Sequence, residues 1–395
     1  MDLPANKPQR LLSLDAFRGF AMFLMAAELM ELPGVAEHFP DSSLWRIIGF
    51  HSDHVMWTGC SLHDLIQPAF TFMVGVALPF SIGSRAAKGQ GMKEMTRHAL
   101  VRSLILVALG VVLRFIDERH VHWTFEDTLA QIGLGYPFLF LLGFASTRLR
   151  WLSLGLILFS YWLLFALYPL PGAGFDRAAA QIPAGWSHDF MGFAAHWNLN
   201  TNAAWAFDRW FLNLLPFGDH FRGNPEGYST LSFIPTLGTM ILGLIAGQWF
   251  RDGYRGLQAL GRLVVAGALC ILAGVLLDSS GICPSVKKLW TPAWTLFSGG
   301  WCFFMMAAFH GVIDVLGFTR WSFPLRVLGM NSILMYILVH LAECLFTAGH
   351  RLHFGRFPFN VLGPAFEPAI HGAFALAVFW SILWLLYRKR IFLRI

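Results

Sequence analysis

The feature that most constrains this chain is a succession of long apolar runs, near 13–31, 64–83, 98–116, 127–146, 151–170, 230–250, 259–277, 292–317, 324–347 and 369–387. Each approaches or exceeds the roughly 20 residues that a helix needs to cross about 30 Å of hydrocarbon. Inside lipid the backbone must satisfy its own polar groups, and runs of this length do so as helices. The 395 residues are 56% hydrophobic and only 13% charged, too few charges to solvate a globular surface of that size. The expected fold is therefore an all-α integral membrane protein, a bundle of about ten transmembrane helices filling 1–395 as a single domain.

The formal charge of +6 does not point to nucleic acid, because Lys and Arg fall in short groups between apolar runs rather than on one basic face. With ten spans, the groups Lys7/Arg10, Arg85–Arg97, Arg148/Arg150, Arg251–Arg262, Arg320/Arg326 and Arg388–Arg394 all fall on one side. The positive-inside rule makes that side cytoplasmic, so both termini should be cytoplasmic. The first run is interrupted by Asp15 and Arg18 and lacks a small-residue cleavage site after it, so it should stay as the first helix. Larger outer loops are expected near 32–63 and 171–229, rich in Trp, His, Asn and Pro, where a water-soluble substrate could be held or which could be plain solvated connections.

Charges within spanning segments are costly and tend to face partners or a cavity. Asp15 and Arg18, three apart on one helical face, suit an ion pair or contact with a charged ligand; Glu28, Asp64 and Glu343 raise the same question. The segment from His51 to Asp64 places His51, His54 and His63 beside Asp53 and Asp64. Histidine exchanges protons near neutral pH and can attack an activated acyl group, but by spacing alone a histidine beside a membrane interface is more often an ordinary hydrogen-bonded residue. No CxxC or Cys/His ligand spacing supports a metal site. Of the cysteines, only Cys60 and Cys283 fall in loops where a disulfide is possible.

Four blocks carry more. The first is Arg10–Leu–Leu–Ser–Leu–Asp15–Ala–Phe–Arg18–Gly19. The second is His54–x–x–Trp57–x–Gly59, followed by Asp64–Leu and Pro68–x–Phe70–x–Phe72–Met–Val–Gly75. The third is Asn224–Pro225–Glu226–Gly227, and the fourth is Lys287–Lys288–Leu–Trp290–Thr, then Gly329–Met–Asn331–Ser–Ile–Leu–x–Tyr336 and the terminal Tyr387–Arg–Lys–Arg–Ile–Phe. Jointly and in this order they resemble the heparan-α-glucosaminide N-acetyltransferase family of transmembrane acyltransferases, in a short, bacterial-type form. The family usually has Asp where Asn224 stands, and Glu28 and Leu29 occupy the neighbourhood of its catalytic asparagine.

The resemblance implies transfer of an acetyl group from cytosolic acetyl-CoA to the amine of a terminal glucosamine or related amino sugar on the outer face. It implies His54 as the active histidine with Asp64 behind it, and a homodimer in the plasma (inner) membrane. Trp57, Asn224, Glu226 and Glu28 are then expected around the acceptor. Asp15, Arg18, Lys93, Arg97, Arg102 and Asn331 are expected around the acetyl-CoA, whose phosphates suit Arg and Lys. His54 could act as a base or carry the acetyl group itself. Two other functions remain open on sequence: a membrane O-acyltransferase of an exported polysaccharide, and an amino-sugar transporter with His54, Asp64 and Asp15 as a proton relay.

Overall fold

The structure is a computed structural model that describes residues 11–115, 123–347 and 359–393. The side chain of Glu343, together with Lys7, Arg10, Arg119, Arg351, Arg356 and Arg394, lies outside what is described. In chain order the helices are α1 (Leu12–Ala26), α2 (Leu32–Glu37), α3 (Ser43–His51), α4 (Ile66–Ala86), α5 (Met92–Phe115), α6 (Thr128–Leu142) and α7 (Thr147–Ala166). They continue with α8 (Ala203–Phe211), α9 (Phe233–Arg251), α10 (Gly256–Ser279), α11 (Pro292–Phe309), α12 (Phe323–Met330), α13 (Ser332–Thr347) and α14 (Glu367–Arg388). Among the described residues there is no strand; one isolated antiparallel bridge joins Thr58 to Val286.

This is an all-α, multi-pass membrane protein, and all ten apolar runs are helical. Seven described helices are long and apolar enough to cross a membrane, eight if the bent pair α12–α13 counts as one span. Two runs make shorter helices. The first gives the 15-residue α1, prolonged by a 3₁₀ turn at Ala27–Met30, and the fourth gives the 15-residue α6. The run 324–347 is not one straight helix: it bends by 84° between Met330 and Ser332. Asn331 sits at that break with its amide taken up by backbone, Nδ2 donating to the Ile391 carbonyl at 3.1 Å and Oδ1 accepting from Leu393 N at 2.9 Å.

Close packing explains a facing pair of glycines in each of two helix pairs. A Cβ on Gly75 of α4 would stand 2.0 Å from the Met240 carbonyl oxygen of α9, and one on Gly243 of α9 1.9 Å from that of Phe72. Gly19 of α1 and Gly329 of α12 meet in the same way, at 1.7 Å from the Leu325 oxygen and 2.0 Å from the Asp15 oxygen. Only a missing side chain allows backbones this near, which is how helices associate where lipid offers no hydrophobic gain. By contrast α10 presents Leu257, Val265, Leu269, Leu272 and Leu276 outward, as a lipid-facing helix should.

The segment 171–229 is more than a solvated connection. It carries α8 and a buried aromatic cluster, in which Trp197, Trp205, Tyr161 and Phe165 pack with Trp57, and it caps one end of the bundle. Asn202 starts α8 by accepting from Ala204 N and Trp205 N, both at 3.0 Å.

Candidate active site

The loop from His51 to Asp64 is wound around one carboxylate. Asp64, fully buried, accepts through Oδ2 from the backbone N–H of Ser61 at 2.9 Å and Val55 at 3.4 Å. Ser61 Oγ in turn donates to the Asp53 carbonyl at 2.6 Å and accepts from Asp64 N. Oδ1 of Asp64 is left facing Nδ1 of His54 at 3.0 Å. His54 itself is partly exposed, so the buried acid fixes one ring nitrogen and leaves Nε2 for a ligand.

A second segment reaches the same carboxylate. The Thr58–Val286 bridge draws the loop before α11 against the histidine loop. Trp290 N donates to the Lys287 carbonyl at 2.8 Å, and Thr291 caps α11 while accepting from Val286 N at 3.1 Å. The Lys287 ammonium is thereby placed 2.9 Å from Asp64 Oδ1 and 2.9 Å from His54 Nδ1. Lys287 is 5% exposed, and burial pulls its pKa below the usual lysine value against the opposing pull of Asp64. Nearby, His63 Nε2 bonds Glu28 Oε1 at 2.5 Å, and the His54 and His63 rings lie 5.0 Å apart. Donor atoms of Glu28, His54 and His63 lie within 4.8 Å of one another. With an ammonium against His54 and the other two engaged with each other, this is a hydrogen-bonded cluster, poorly suited to a cation.

Glu28, His54, His63 and Lys287, with Asp64 buried behind His54, line a cavity of about 220 Å³, closed by Ile66, Gln67 and Phe70 of α4, Arg114 of α5, Glu126, Tyr228, and Tyr336 and His340 of α13. Glu126 accepts from Asn224 Nδ2 at 2.8 Å, and burial raises its pKa against the opposing effect of Arg114.

A larger cavity of about 400 Å³ abuts it, sharing Phe70, Thr128 and Tyr336. Gln67, Phe70, Val74, Leu78, Ser81 and Arg85 follow each other along α4 at three- or four-residue steps, so one stripe of a single helix lines both cavities. The 21-residue α4 is about 31 Å long, so the pair of cavities extends over most of the bundle's depth. The far end holds Arg18, Arg85 and Arg102. Arg18 meets Asp15 at 3.8 Å. Arg85 bonds Gln90, and Arg102 bonds Tyr136 at 3.3 Å, but neither has a carboxylate partner among the described residues. Guanidinium groups in a cavity without acidic partners make an anion site.

No family model matches the chain. Two curated proteins do: heparan-alpha-glucosaminide N-acetyltransferase of Homo sapiens, 24% identical across 98% of this chain, and that of Mus musculus, 23% identical across 99%. The chain is thus similar to the heparan-α-glucosaminide N-acetyltransferases over nearly its whole length. It spans 60% of the human protein's length and 61% of the mouse protein's.

Of the residues this resemblance singles out, the structure brings His54, Asp64 and Glu28 to one cavity and Arg18 and Arg102 to the other. Others stand apart. Trp57 is 1% exposed, edge-on to Trp186 and against Gly227, where it joins the cap to the histidine loop instead of lining the cavity. Asn224 holds the turn at Glu226 and Gly227 and reaches the site only through Glu126, while Glu226 is exposed. Lys93 and Arg97 are exposed on the first turns of α5, outside the larger cavity's lining; Asp15 and Asn331 are buried and lie outside that lining too. Cys60 and Cys283 are free thiols, and burial pushes both up to about 12; at Cys60 the neighbouring Asp64 carboxylate acts in the same direction, which makes it a poor nucleophile.

The sequence names Lys287 in a motif block and Arg85 in a basic group without giving either a place in the site, and does not mark Glu126 at all. The signal for Lys287 was present: two adjacent lysines on the side that should be poor in positive charge, inside a motif block.

Proposed function

We propose that the chain is an acyltransferase that moves the acetyl group of acetyl-CoA to the amine of a terminal glucosamine or related amino sugar. The observation that carries this reading is the pair of abutting cavities on one face of α4. One end offers the guanidiniums of Arg85 and Arg102, without carboxylate partners among the described residues, for phosphates, and the other offers a histidine backed by a buried carboxylate. A donor with an anionic head and a long arm fits that layout, its thioester passing Phe70 and Tyr336 to meet the acceptor beside His54. The amine nitrogen attacks the thioester carbonyl carbon, the new N–C bond forms and the C–S bond breaks. His54 Nε2 takes the proton that the nitrogen must lose and returns it to the departing thiolate. Glu28 and Glu126 line the acceptor side and suit its ammonium and hydroxyl groups.

The Arg85 end of α4 is read as cytoplasmic, with both termini on that side, from the distribution of Lys and Arg. A homodimer in the plasma membrane is part of the same reading and rests on the family resemblance. The test gives purified protein in sealed vesicles radiolabelled acetyl-CoA and a panel of amino sugars. The expected result is an alkali-stable labelled amide, with loss of about 10²–10⁴-fold in turnover for His54→Ala. An alkali-labile product would make the chain an O-acyltransferase, and sugar uptake without acetyl-CoA would make it a transporter. Full turnover in His54→Ala would remove the histidine from the chemistry.

A further inference from the structure

His54 must be neutral to accept a proton, and the charges around its ring bear on that. A fully buried carboxylate 3.0 Å from Nδ1 attracts a proton onto the imidazole, and an imidazolium has no lone pair left for the amine's proton. The groups facing the ring come from several elements. Asp64 and His63 belong to its own loop, Glu28 to the end of α1, and Lys287 to the loop before α11. Across the cavity stand Arg114 of α5, Glu126, Tyr228, and the stacked Tyr336–His340 pair of α13. Glu28 is engaged by His63, which leaves Asp64 as the acid in contact with His54 and Lys287 as the cation in contact with it.

Resting on the function proposed above, we propose that Lys287 is a positioning residue that keeps His54 a neutral base. Nζ of Lys287, Oδ1 of Asp64 and Nδ1 of His54 form a triangle with sides of 2.9, 2.9 and 3.0 Å. The ammonium acts twice in that triangle. It neutralises the carboxylate by donating to the oxygen that faces the ring, and it repels a second positive charge on the imidazole. With Nδ1–H donating to Asp64, the ammonium donates to Asp64 and acts on Nδ1 only through its charge, and Nε2 keeps its lone pair towards the cavity. Arginine would preserve the charge; methionine would preserve only the bulk.

The experiment measures turnover against pH for the full-length protein in vesicles, comparing wild type, Lys287→Met and Lys287→Arg with one amino sugar, whose own titration is common to all three. Lys287→Met should move the acidic limb of turnover to higher pH by about one to three units, as expected when a neighbouring charge is removed. Its rate should recover at alkaline pH and its KM for acetyl-CoA should hold. Lys287→Arg should keep the limb near the wild-type position. If Lys287→Met does not fold, Lys287→Gln, which can still donate to Asp64, gives the same readout. A loss of rate equal at every pH, with the limb unmoved, overturns the inference and leaves Lys287 a structural role. That outcome differs from failure of the functional reading, in which His54→Ala would retain turnover.

Discussion

At the histidine cavity the charges come in pairs, Asp64 with Lys287 and Glu28 with His63, whereas at the arginine cavity Arg85 and Arg102 have no acidic partner among the described residues. The two cavities share a helix stripe and three lining residues, so the contrast does not come from different scaffolds. It reflects what each must hold. Paired charges at one end leave reactive groups poised without a large net field. Unpaired guanidiniums at the other await charge from a ligand.

The largest expected effect breaks the pairing at the histidine end. Asp64→Asn leaves the Lys287 ammonium buried without its acid, a loss that typically costs about 3–5 kcal/mol of stability. The same change removes the group that orients His54, so turnover should fall by about 10²–10⁴-fold in protein that still folds. Combining Asp64→Asn with Lys287→Met removes both charges and should recover much of the lost Tm without recovering turnover. If the double variant is no more stable than Asp64→Asn, the pair is not coupled as the geometry indicates.

How much of this contrast the sequence carried depends on which interactions are local. His54 and Asp64 are ten residues apart in one loop, and a motif names both. Lys287 lies more than two hundred residues away and meets them through a bridge between two loops, which no periodicity encodes. The helices followed from length and apolarity, but the bend at Asn331 did not, because hydropathy is continuous through it and the cause is a side chain bonding the distant Ile391–Leu393 backbone. Trp57 illustrates the opposite error. A motif aromatic beside a reactive histidine suggests substrate contact, yet the chain uses it to join the cap to the loop.

At the arginine end the expected effects are smaller and confined to binding. Removing a charge-assisted hydrogen bond costs roughly 1.5–3 kcal/mol, so Arg102→Ala or Arg85→Ala should raise the KM for acetyl-CoA about ten- to a hundredfold, with the amine KM little changed. Lys93→Ala and Arg97→Ala, exposed outside the cavity, should stay within about a factor of two. Equal effects from all four would mean that charge density on that face matters and the cavity does not.

The smallest effect on turnover concerns the cap, and it separates stability from catalysis at the histidine end. Asp208 of α8 is 2% exposed, with Oδ2 accepting from Thr230 N at 2.9 Å and Oδ1 buried without a partner. Burial pushes its pKa up to about 7, so the folded protein holds a proton on this carboxyl that the unfolded chain releases near pH 4. The stability this proton contributes is complete below about pH 4 and is lost as pH rises towards 7, at up to about 1.4 kcal/mol per pH unit. Asp208→Asn, permanently neutral, should therefore flatten the dependence of Tm on pH in that window and melt higher than wild type above pH 7. Turnover should change little, since Asp208 does not line the cavity. A variant that keeps the wild-type slope would place the titrating group elsewhere, with Glu126 as the next to test, because burial raises it too and it does line the cavity.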